Sequence, residues 1–167
     1  MKKSAIAIIF NDTKTELLLI KRRDVPVWVL PGGGIEDNED PSDGAEREAL
    51  EETGLTVKIE RQVADYQPLN RLAAQTYTFE CSVLGGNLAK GAETRNIQFF
   101  PLNQLPSSFF FVHQEWVNDA LRNESFLISR KLDYVTYSRL ILYFMKHPVH
   151  VIRALFARLG LPLNSKN

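Results

Sequence analysis

The chain has 167 residues, 44% of them hydrophobic, and its 20 Lys and Arg residues balance 20 Asp and Glu residues. This length suits one globular domain that can bury a core without disulfides or metals to staple it. The apolar content excludes a disordered chain, and no apolar stretch reaches the length of a transmembrane helix or a signal peptide. Because Cys81 is the only cysteine, no internal disulfide is expected and we predict a cytoplasmic protein.

The charges are unevenly distributed along the chain. Residues 36–52 hold nine acids and one base, a net charge of −8, whereas residues 129–167 hold seven bases and one acid, a net charge of +6. A folded acidic stretch lies on a solvated face or holds cations, and a basic tail favours anionic partners such as acidic proteins or lipid headgroups. The two segments therefore predict different partners.

The first elements in the chain are predicted to be strands. Apolar residues alternate through residues 3–10, and turn-forming residues separate them from the apolar run 17–20, which predicts a β-hairpin. Residues 27–30 form a further short apolar strand. It runs into the glycine-rich loop 31–34, whose backbone can reach conformations that are closed to residues with a Cβ atom.

A helix is predicted over residues 41–53. Asp40 is a favourable N-cap because its side chain accepts a hydrogen bond from a free backbone N–H, and Pro41 is tolerated at the first helical position. Gly54 is the usual residue that ends a helix.

The remaining pattern predicts a mixed sheet. Residues 56–60 and 76–83 alternate as strands, with Tyr77, Phe79, Cys81 and Val83 facing the core in the second of them, and residues 97–101 form another strand. Residues 113–122 have helical spacing. Strands that meet through hairpins around one early and one late helix predict an α+β fold or a sandwich-like mixed sheet, and not a doubly wound parallel sheet.

The C-terminal segment predicts a basic helical extension. The helical pattern of residues 137–159 is broken at His147-Pro148, which gives two short amphipathic helices. We divide the chain into a domain over residues 1–128 and an extension over residues 129–167. Packing of the extension on the domain or on a second subunit, as in a homodimer, is the favoured interpretation, and binding to a membrane surface is the alternative. The apolar stripe of the second helix consists of Val149, Ile152, Leu155, Phe156 and Leu159.

Three glutamates form the most informative cluster. Glu48, Glu51 and Glu52 stand at i, i+3 and i+4 on the predicted helix, so their carboxylates project from one face. Taken alone, such a cluster is typical of a solvated acidic face. It is also suited to a divalent cation, and in the absence of Cys or His the oxygen ligands favour magnesium, or manganese, over zinc.

The glutamates belong to a longer motif. Gly33 is followed after five residues by Glu39 and after seven more by Arg47, and the pattern continues from Glu48 to Leu55, so that it resembles the Nudix box at every defined position. The box begins in the glycine loop and continues through the helix predicted above. The flanking strands extend the likeness to roughly residues 1–125, and the resemblance implies a mixed β-sheet sandwiched between helices.

The resemblance implies a pyrophosphohydrolase. Members of the family hydrolyse a nucleoside diphosphate linked to another group, with water attacking a phosphorus of the bridge and with the help of a divalent metal. We expect such a nucleotide derivative as the partner, with Mg²⁺ or Mn²⁺, and no nucleic-acid polymer. The alternative is a nucleotide-binding or regulatory module that keeps the fold without turnover.

Carried over by position, the resemblance implies roles for the glutamates of the helix and for the glycine loop. Glu48 and Glu52 are expected as metal ligands, and Glu51 as a ligand or as the base that takes the proton of the water. Both Glu51 and Glu48 are therefore candidate catalytic residues. The backbone carbonyl of Gly32 is expected to join the metal ligands.

Further residues are expected to support this site. Glu39 and Arg47 form a supporting pair, together with Gly33, that fixes the loop against the helix. Glu93 is a candidate for the additional acidic ligand that many relatives recruit after their central strands.

Substrate recognition is less evident from the sequence. Arg22 and Arg23 leave a strand ahead of the glycine loop and are candidates to bind phosphate, although a basic strand end is also typical of solvated surface. Trp28 is interpreted as core. Pro68 and Tyr77 stand out of register with the Pro and Tyr of relatives that act on ADP-ribose and on dinucleoside polyphosphates, so the sequence favours neither subclass.

Overall fold

The computed structural model describes residues 2–70, 73–122, 126–133, 135–146, 148–149, 152–153 and 156. Within them lie eight strands and three helices. The strands are β1 (Lys3–Ile9), β2 (Glu16–Arg22), β3 (Trp28–Val29), β4 (Gly32–Gly34), β5 (Leu55–Gln67), β6 (Gln75–Gly86), β7 (Thr94–Pro101) and β8 (Ile128–Lys131), and the helices are α1 (Pro41–Thr53), α2 (Phe111–Leu121) and α3 (Tyr137–Lys146).

The strands form two sheets. The larger sheet has the order β4-β1-β6-β5-β8 and is mixed, because β1 pairs with β6 and β5 with β8 in parallel, whereas the other pairs are antiparallel. The smaller sheet has the order β3-β2-β7 and is antiparallel. The predicted α+β class with a mixed sheet is confirmed.

The predicted hairpin of residues 3–10 and 17–20 is wrong. One isolated bridge, between Phe10 and Leu17, joins the two segments, but β1 belongs to the larger sheet and β2 to the smaller one. Alternation of apolar residues shows which face of a strand is buried, but it does not identify the neighbouring strand. In the structure the chain passes from one sheet to the other after Phe10.

The large sheet lies between α1 and α2. Ala45 and Ala49 of α1 share a buried cluster with Ala7 of β1, whereas Val112 and Trp116 of α2 belong to the cluster on the other side. Successive residues of a strand point to opposite faces, so β1 supplies Ala5, Ala7 and Ile9 to the first cluster and Ile6 and Ile8 to the second. The first cluster therefore fixes α1 over one face of the sheet, next to the edge strand β4.

Helix α1 has the predicted bounds and caps. The Asp40 side chain accepts a hydrogen bond from the Ser42 N–H at 2.9 Å, and Gly54 adopts the left-handed conformation with φ 76°. A cap at each end fixes the register in which the glutamates of α1 emerge.

The C-terminal extension begins within the sheet. β8 pairs in parallel with β5 and spans the predicted boundary between the domain, which ends at residue 128, and the extension, which begins at residue 129. The division into two domains stays a prediction. Helix α3 follows, and the described residues of the second predicted helix are helical at residues 148–149, 152–153 and 156. The predicted stripe residues Leu155 and Leu159 lie outside the described residues.

None of the helices within the described ranges combines the length and the apolar content that a membrane span requires.

Candidate active site

A cavity of about 660 Å³ opens between the glycine strand β4, helix α1 and the loop that precedes β7. Four carboxylates and one guanidinium contribute to its wall, so the described lining has a strong excess of negative charge. The lining residues are Arg22, Gly32, Gly33, Gly34, Glu48, Glu51, Glu52, Gly91, Ala92 and Glu93.

Glu52 is the most deeply placed of these carboxylates. The residue is only 8% exposed, and its Oε2 accepts a hydrogen bond from the Gly32 N–H at 2.8 Å. Burial raises the pKa of Glu52 to about 7, and the neighbouring charge of Glu48 adds to the effect, while the hydrogen bond from Gly32 opposes it. One hydrogen bond from a neutral N–H group offsets only part of the cost of burying a charged carboxylate. The two carboxylate oxygens of Glu52 are therefore suited to bind a cation.

Glu48 lies directly against the glycine strand. A Cβ atom on Gly33 would lie 2.5 Å from Glu48 Oε1, so a side chain at this position would displace the Glu48 carboxylate. Burial raises the pKa of Glu48, and the hydrogen bond from Arg47 opposes that shift. Glu51 also lines the cavity, but its side chain is 60% exposed.

Arg47 connects the acidic residues with the loop. Its Nε and NH2 donate to the two oxygens of Glu39 at 2.7 and 3.0 Å, and NH2 also donates to the Gly34 carbonyl oxygen at 2.9 Å. NH1 donates to Glu48 Oε1 at 2.9 Å. A planar guanidinium can serve these acceptors together, whereas an ammonium group cannot. The geometry therefore fixes β4 against α1.

Arg22 brings positive charge to the cavity, and Asp24 restrains it. Arg22 Nε and NH2 both donate to the Asp24 carboxylate at 2.8 Å, and NH2 lies 3.8 Å from Glu93. Arg23 is not among the described residues that line the cavity. Its Nε donates to the Thr94 carbonyl oxygen at 3.1 Å, so the predicted role of Arg23 in substrate binding stays a prediction.

Glu93 reaches the cavity on the loop of residues 87–93. Ala89 N donates to the Thr53 carbonyl oxygen at 2.8 Å at one end of the loop, and Arg23 N donates to the Glu93 carbonyl oxygen at 2.9 Å at the other. Between them, a Cβ atom on Gly91 would collide with the Glu51 carbonyl oxygen. The Glu93 side chain is 75% exposed, and its loop is held by backbone contacts to α1 and to the end of β2.

The aromatic residues near the site belong to the core. Trp28 is buried and packs edge-on against Phe100, with ring centroids 4.8 Å apart. His113 Nδ1 accepts a hydrogen bond from Leu30 N at 3.0 Å, and its ring stacks on Trp116 at 4.5 Å. Burial lowers the pKa of His113 to about 3, and the positive charge of Arg22 adds to this effect. His113 is therefore neutral, and its geometry indicates a role in packing.

The residues of the cavity fit a divalent cation in type and in charge. All candidate donors are oxygens, which magnesium and manganese prefer, and burial raises the pKa of the buried Glu52 and of the partly buried Glu48. Among the described residues, no three Asp, Glu, His or Cys side chains already converge as a metal-binding group. Arg47 instead contacts Glu48 and Glu51, which reduces the repulsion between these two carboxylates.

Comparisons with known proteins agree with this geometry. A model of the NUDIX domain matches residues 1–120. The chain is 32% identical over 118 residues to a Bacillus subtilis (strain 168) protein that is provisionally named an 8-oxo-dGTP diphosphatase, a match covering 70% of this chain and 78% of that protein. It is 35% identical over 121 residues to an ADP-ribose pyrophosphatase of Methanocaldococcus jannaschii, which covers 69% and 70% of the two chains.

A solved structure shows the same fold. An ADP-ribose pyrophosphatase from Streptococcus suis 89-1591 superposes with a TM-score of 0.64 and 27% identity, over 78% of this chain and 98% of that one. The chain belongs to the Nudix hydrolase family, whose named members here act on diphosphate bonds.

Two features of the site were missed by the sequence analysis. Asp24 was not considered, although an acid two residues after Arg22 is a local signal for the observed ion pair. Gly91 was also missed, because its role depends on the close approach of a loop to the end of α1. A glycine two residues before a candidate ligand is the signal that could have indicated it.

Proposed function

We propose that this protein hydrolyses the diphosphate bond of a nucleoside diphosphate linked to another group, in a reaction that depends on Mg²⁺ or Mn²⁺. The observation that carries this proposal is a pair of carboxylates, the buried Glu52 and the partly buried Glu48, facing one cavity beside a glycine strand. A diphosphate is multiply anionic and would be repelled by such a wall, so the site requires cations when substrate is bound.

Glu48, Glu51 and Glu52 are proposed as the residues that hold the cation, with the Gly32 carbonyl and Glu93 as further ligands. When bound, a divalent cation neutralises the phosphates and lowers the pKa of the attacking water. Glu39 and Arg47 act through Glu48, because Arg47 binds both carboxylates and the Gly34 carbonyl.

The proton of the attacking water is proposed to pass to Glu51 or to Glu48. The exposure of Glu51 suits a group that exchanges protons with solvent, whereas the raised pKa of Glu48 suits a general base at neutral pH. Arg22 is proposed to bind a phosphate oxygen of the bridge, since its guanidinium lines the cavity and matches phosphate geometry. Arg23 is proposed to support phosphate binding from the adjacent loop.

The named relatives differ in substrate but share one bond. One is named for 8-oxo-dGTP and another for ADP-ribose, and both substrates contain a phosphoanhydride bond next to a nucleoside. We therefore propose the diphosphate bridge as the recognised chemistry and assign no base or second group.

A panel of nucleoside diphosphate sugars, nucleoside triphosphates and dinucleoside polyphosphates should be incubated with Mg²⁺ and the products identified. We expect release of a nucleoside monophosphate from at least one member. Glu52→Gln should lower turnover about a hundredfold or more, the scale of loss expected when a group stabilising transition-state charge is removed.

The same variant provides its own folding control. In metal-free protein at pH 8, ionised Glu52 is buried at a cost, so Glu52→Gln should be at least as stable as the parent in urea. Turnover equal to the parent in a folded variant would contradict the assigned role. Tight nucleotide binding by calorimetry, with no product from any member, would favour the non-catalytic module instead.

A further inference from the structure

Helix α3 carries an apolar face that is exposed to solvent. We call Tyr137, Ile141, Leu142 and Met145 the C-terminal apolar face, and these residues are 59%, 57%, 49% and 69% exposed, respectively. Tyr137, Ile141 and Met145 follow one another at intervals of four residues, so they lie on one side of the helix. A group of large apolar side chains at this level of exposure marks an interaction surface more often than ordinary surface.

The same exposure recurs after Pro148. Val149 is 60% exposed, Ile152 is 51% exposed and Phe156 is 38% exposed. All three are described as helical and belong to the stripe predicted for the second helix. The apolar exposure is therefore shared by α3 and by the described helical residues after it.

Cations flank this face. Arg139 and Lys146 are exposed, stand seven residues apart and so share a side of α3, at the border between Leu142 of the C-terminal apolar face and Tyr143. Asp133 is the only acid in residues 129–167, which contain seven bases. The C-terminal apolar face, with cations and no anion beside it, is complementary to a partner surface that has an apolar interior beneath anionic groups.

The extension is attached to the protein by its other side. The ring of Tyr143 packs against Phe110 and Phe111, with centroids 6.2 and 6.1 Å apart. Arg153 donates to the carbonyl oxygens of Asp24 and Arg23 at 2.8 and 3.0 Å. These contacts orient α3 so that the C-terminal apolar face points away from the body of the protein.

We propose that the C-terminal apolar face binds the surface of an anionic lipid bilayer, with α3 lying in the plane of the interface. Ile141 and Met145 would enter the boundary between headgroups and acyl chains, and Arg139 and Lys146 would contact the anionic headgroups. A second copy of the chain is a poorer partner, because a two-fold contact through this face would bring the cations of both copies together. The proposal does not depend on the proposed hydrolytic function.

Cosedimentation of the full chain with lipid vesicles tests the proposal. We expect binding to vesicles of phosphatidylcholine with phosphatidylglycerol, much weaker binding to phosphatidylcholine alone, and loss of binding as salt increases. The double variant Arg139→Glu/Lys146→Glu should bind roughly thirtyfold more weakly, because each lost cation accounts for about a fivefold change. Ile141→Asp/Met145→Asp should weaken binding about tenfold or more.

Leu84→Asp is the matched control. Leu84 is 65% exposed at the end of β6, so the same chemical change outside the C-terminal apolar face should leave vesicle binding unchanged. All substituted side chains are exposed, and circular dichroism should confirm that each variant is folded. Equal binding by the parent and the two double variants would overturn the proposal, and so would failure of the parent to bind either vesicle. A dimer in sedimentation analysis that Ile141→Asp/Met145→Asp dissociates would assign the face to a second copy, and would also overturn it.

Discussion

His113 shows how a single residue near the site acquires its chemical state from its surroundings. Its ring is held between the backbone N–H of Leu30 and the face of Trp116, and both contacts suit a neutral imidazole. Protonation would place a charge in this apolar setting beside Arg22. His113 is not among the described residues that line the cavity, so its chemical state bears on the stability of the fold.

We expect His113 to destabilise the fold as the pH falls. Its pKa is about 3 in the folded state and about 6.5 in the unfolded chain, so the unfolded state binds more protons between these values. Stability that is present above about pH 6.5 is lost progressively toward pH 3. His113→Asn keeps an acceptor for Leu30 N–H but does not titrate.

Urea unfolding of the parent and of His113→Asn at a series of pH values measures this effect. The side chain keeps some exposure, so the parent should lose only about 1–2 kcal/mol more than the variant between pH 6.5 and pH 4. Parallel stability curves for the two proteins would show that His113 is not the titrating group.

At the level of elements, the loop of residues 87–93 can lie close to the end of α1 only because Gly91 has no side chain. A methyl group there would collide with the Glu51 carbonyl oxygen on α1, and the backbone of the helix end cannot easily yield. The loop would have to move outward and would carry Glu93 with it.

We expect Gly91→Ala to lower the free energy of unfolding by about 1–3 kcal/mol, as overpacking does elsewhere, and to weaken divalent-cation binding about tenfold or more. Gly85→Ala is the control, since no atom lies within 4 Å of the added methyl, and its effect should stay within about 0.5 kcal/mol. Urea unfolding and calorimetric titration with Mn²⁺ provide the two measurements. A Gly91→Ala protein indistinguishable from Gly85→Ala would show that the loop adapts freely.

Elements with local start and stop signals were predictable from the sequence. Helix α1 has the predicted bounds because Asp40, Pro41 and Gly54 act within a few residues of its ends. β8 was not predicted, since four residues that pair in parallel with β5 have no local signature of their own. The partner of a strand is set by contacts between distant residues, and these a single sequence does not reveal.

The same distinction applies to the site. The spacing on α1 correctly indicated that Glu48, Glu51 and Glu52 share a side of the helix, and all three line the cavity. The different burial of Glu51 and Glu52 could not be predicted, because it depends on how closely β4 approaches α1. The sequence did not indicate the neutral state of His113 either, because that state depends on contacts with Leu30 and Trp116 in the folded chain.

At the scale of the whole molecule, the globular unit extends through β8. Leu132 is 1% exposed, Leu132 N donates to the Gln67 carbonyl oxygen at 2.9 Å, and Arg130 pairs with buried Asp119 at 2.6 Å. Asp119 also accepts a hydrogen bond from Tyr66 at 2.5 Å. We therefore propose that the extension begins after this strand.

Two truncations distinguish the unit from its extension. A chain ending at Thr136 lacks α3 and should lose only about 1–2 kcal/mol, because most side chains described in that helix are exposed. A chain ending at Leu127 should lose about 4 kcal/mol or more, because it removes a buried leucine and leaves the Asp119 charge without Arg130. Urea unfolding followed by tryptophan fluorescence measures both, and similar losses would contradict the proposed boundary.

The ion pair between Arg22 and Asp24 has a consequence for ligand selection. Asp24 is an internal counter-ion that already accepts hydrogen bonds from Nε and NH2 of Arg22, so an incoming anion must displace it to bind that edge of the guanidinium. A ligand with several negative charges competes more effectively than one with few. In the proposed reaction each product would carry one phosphate group in place of the two of the bridge, so Asp24 would compete for Arg22 again once the two fragments separate.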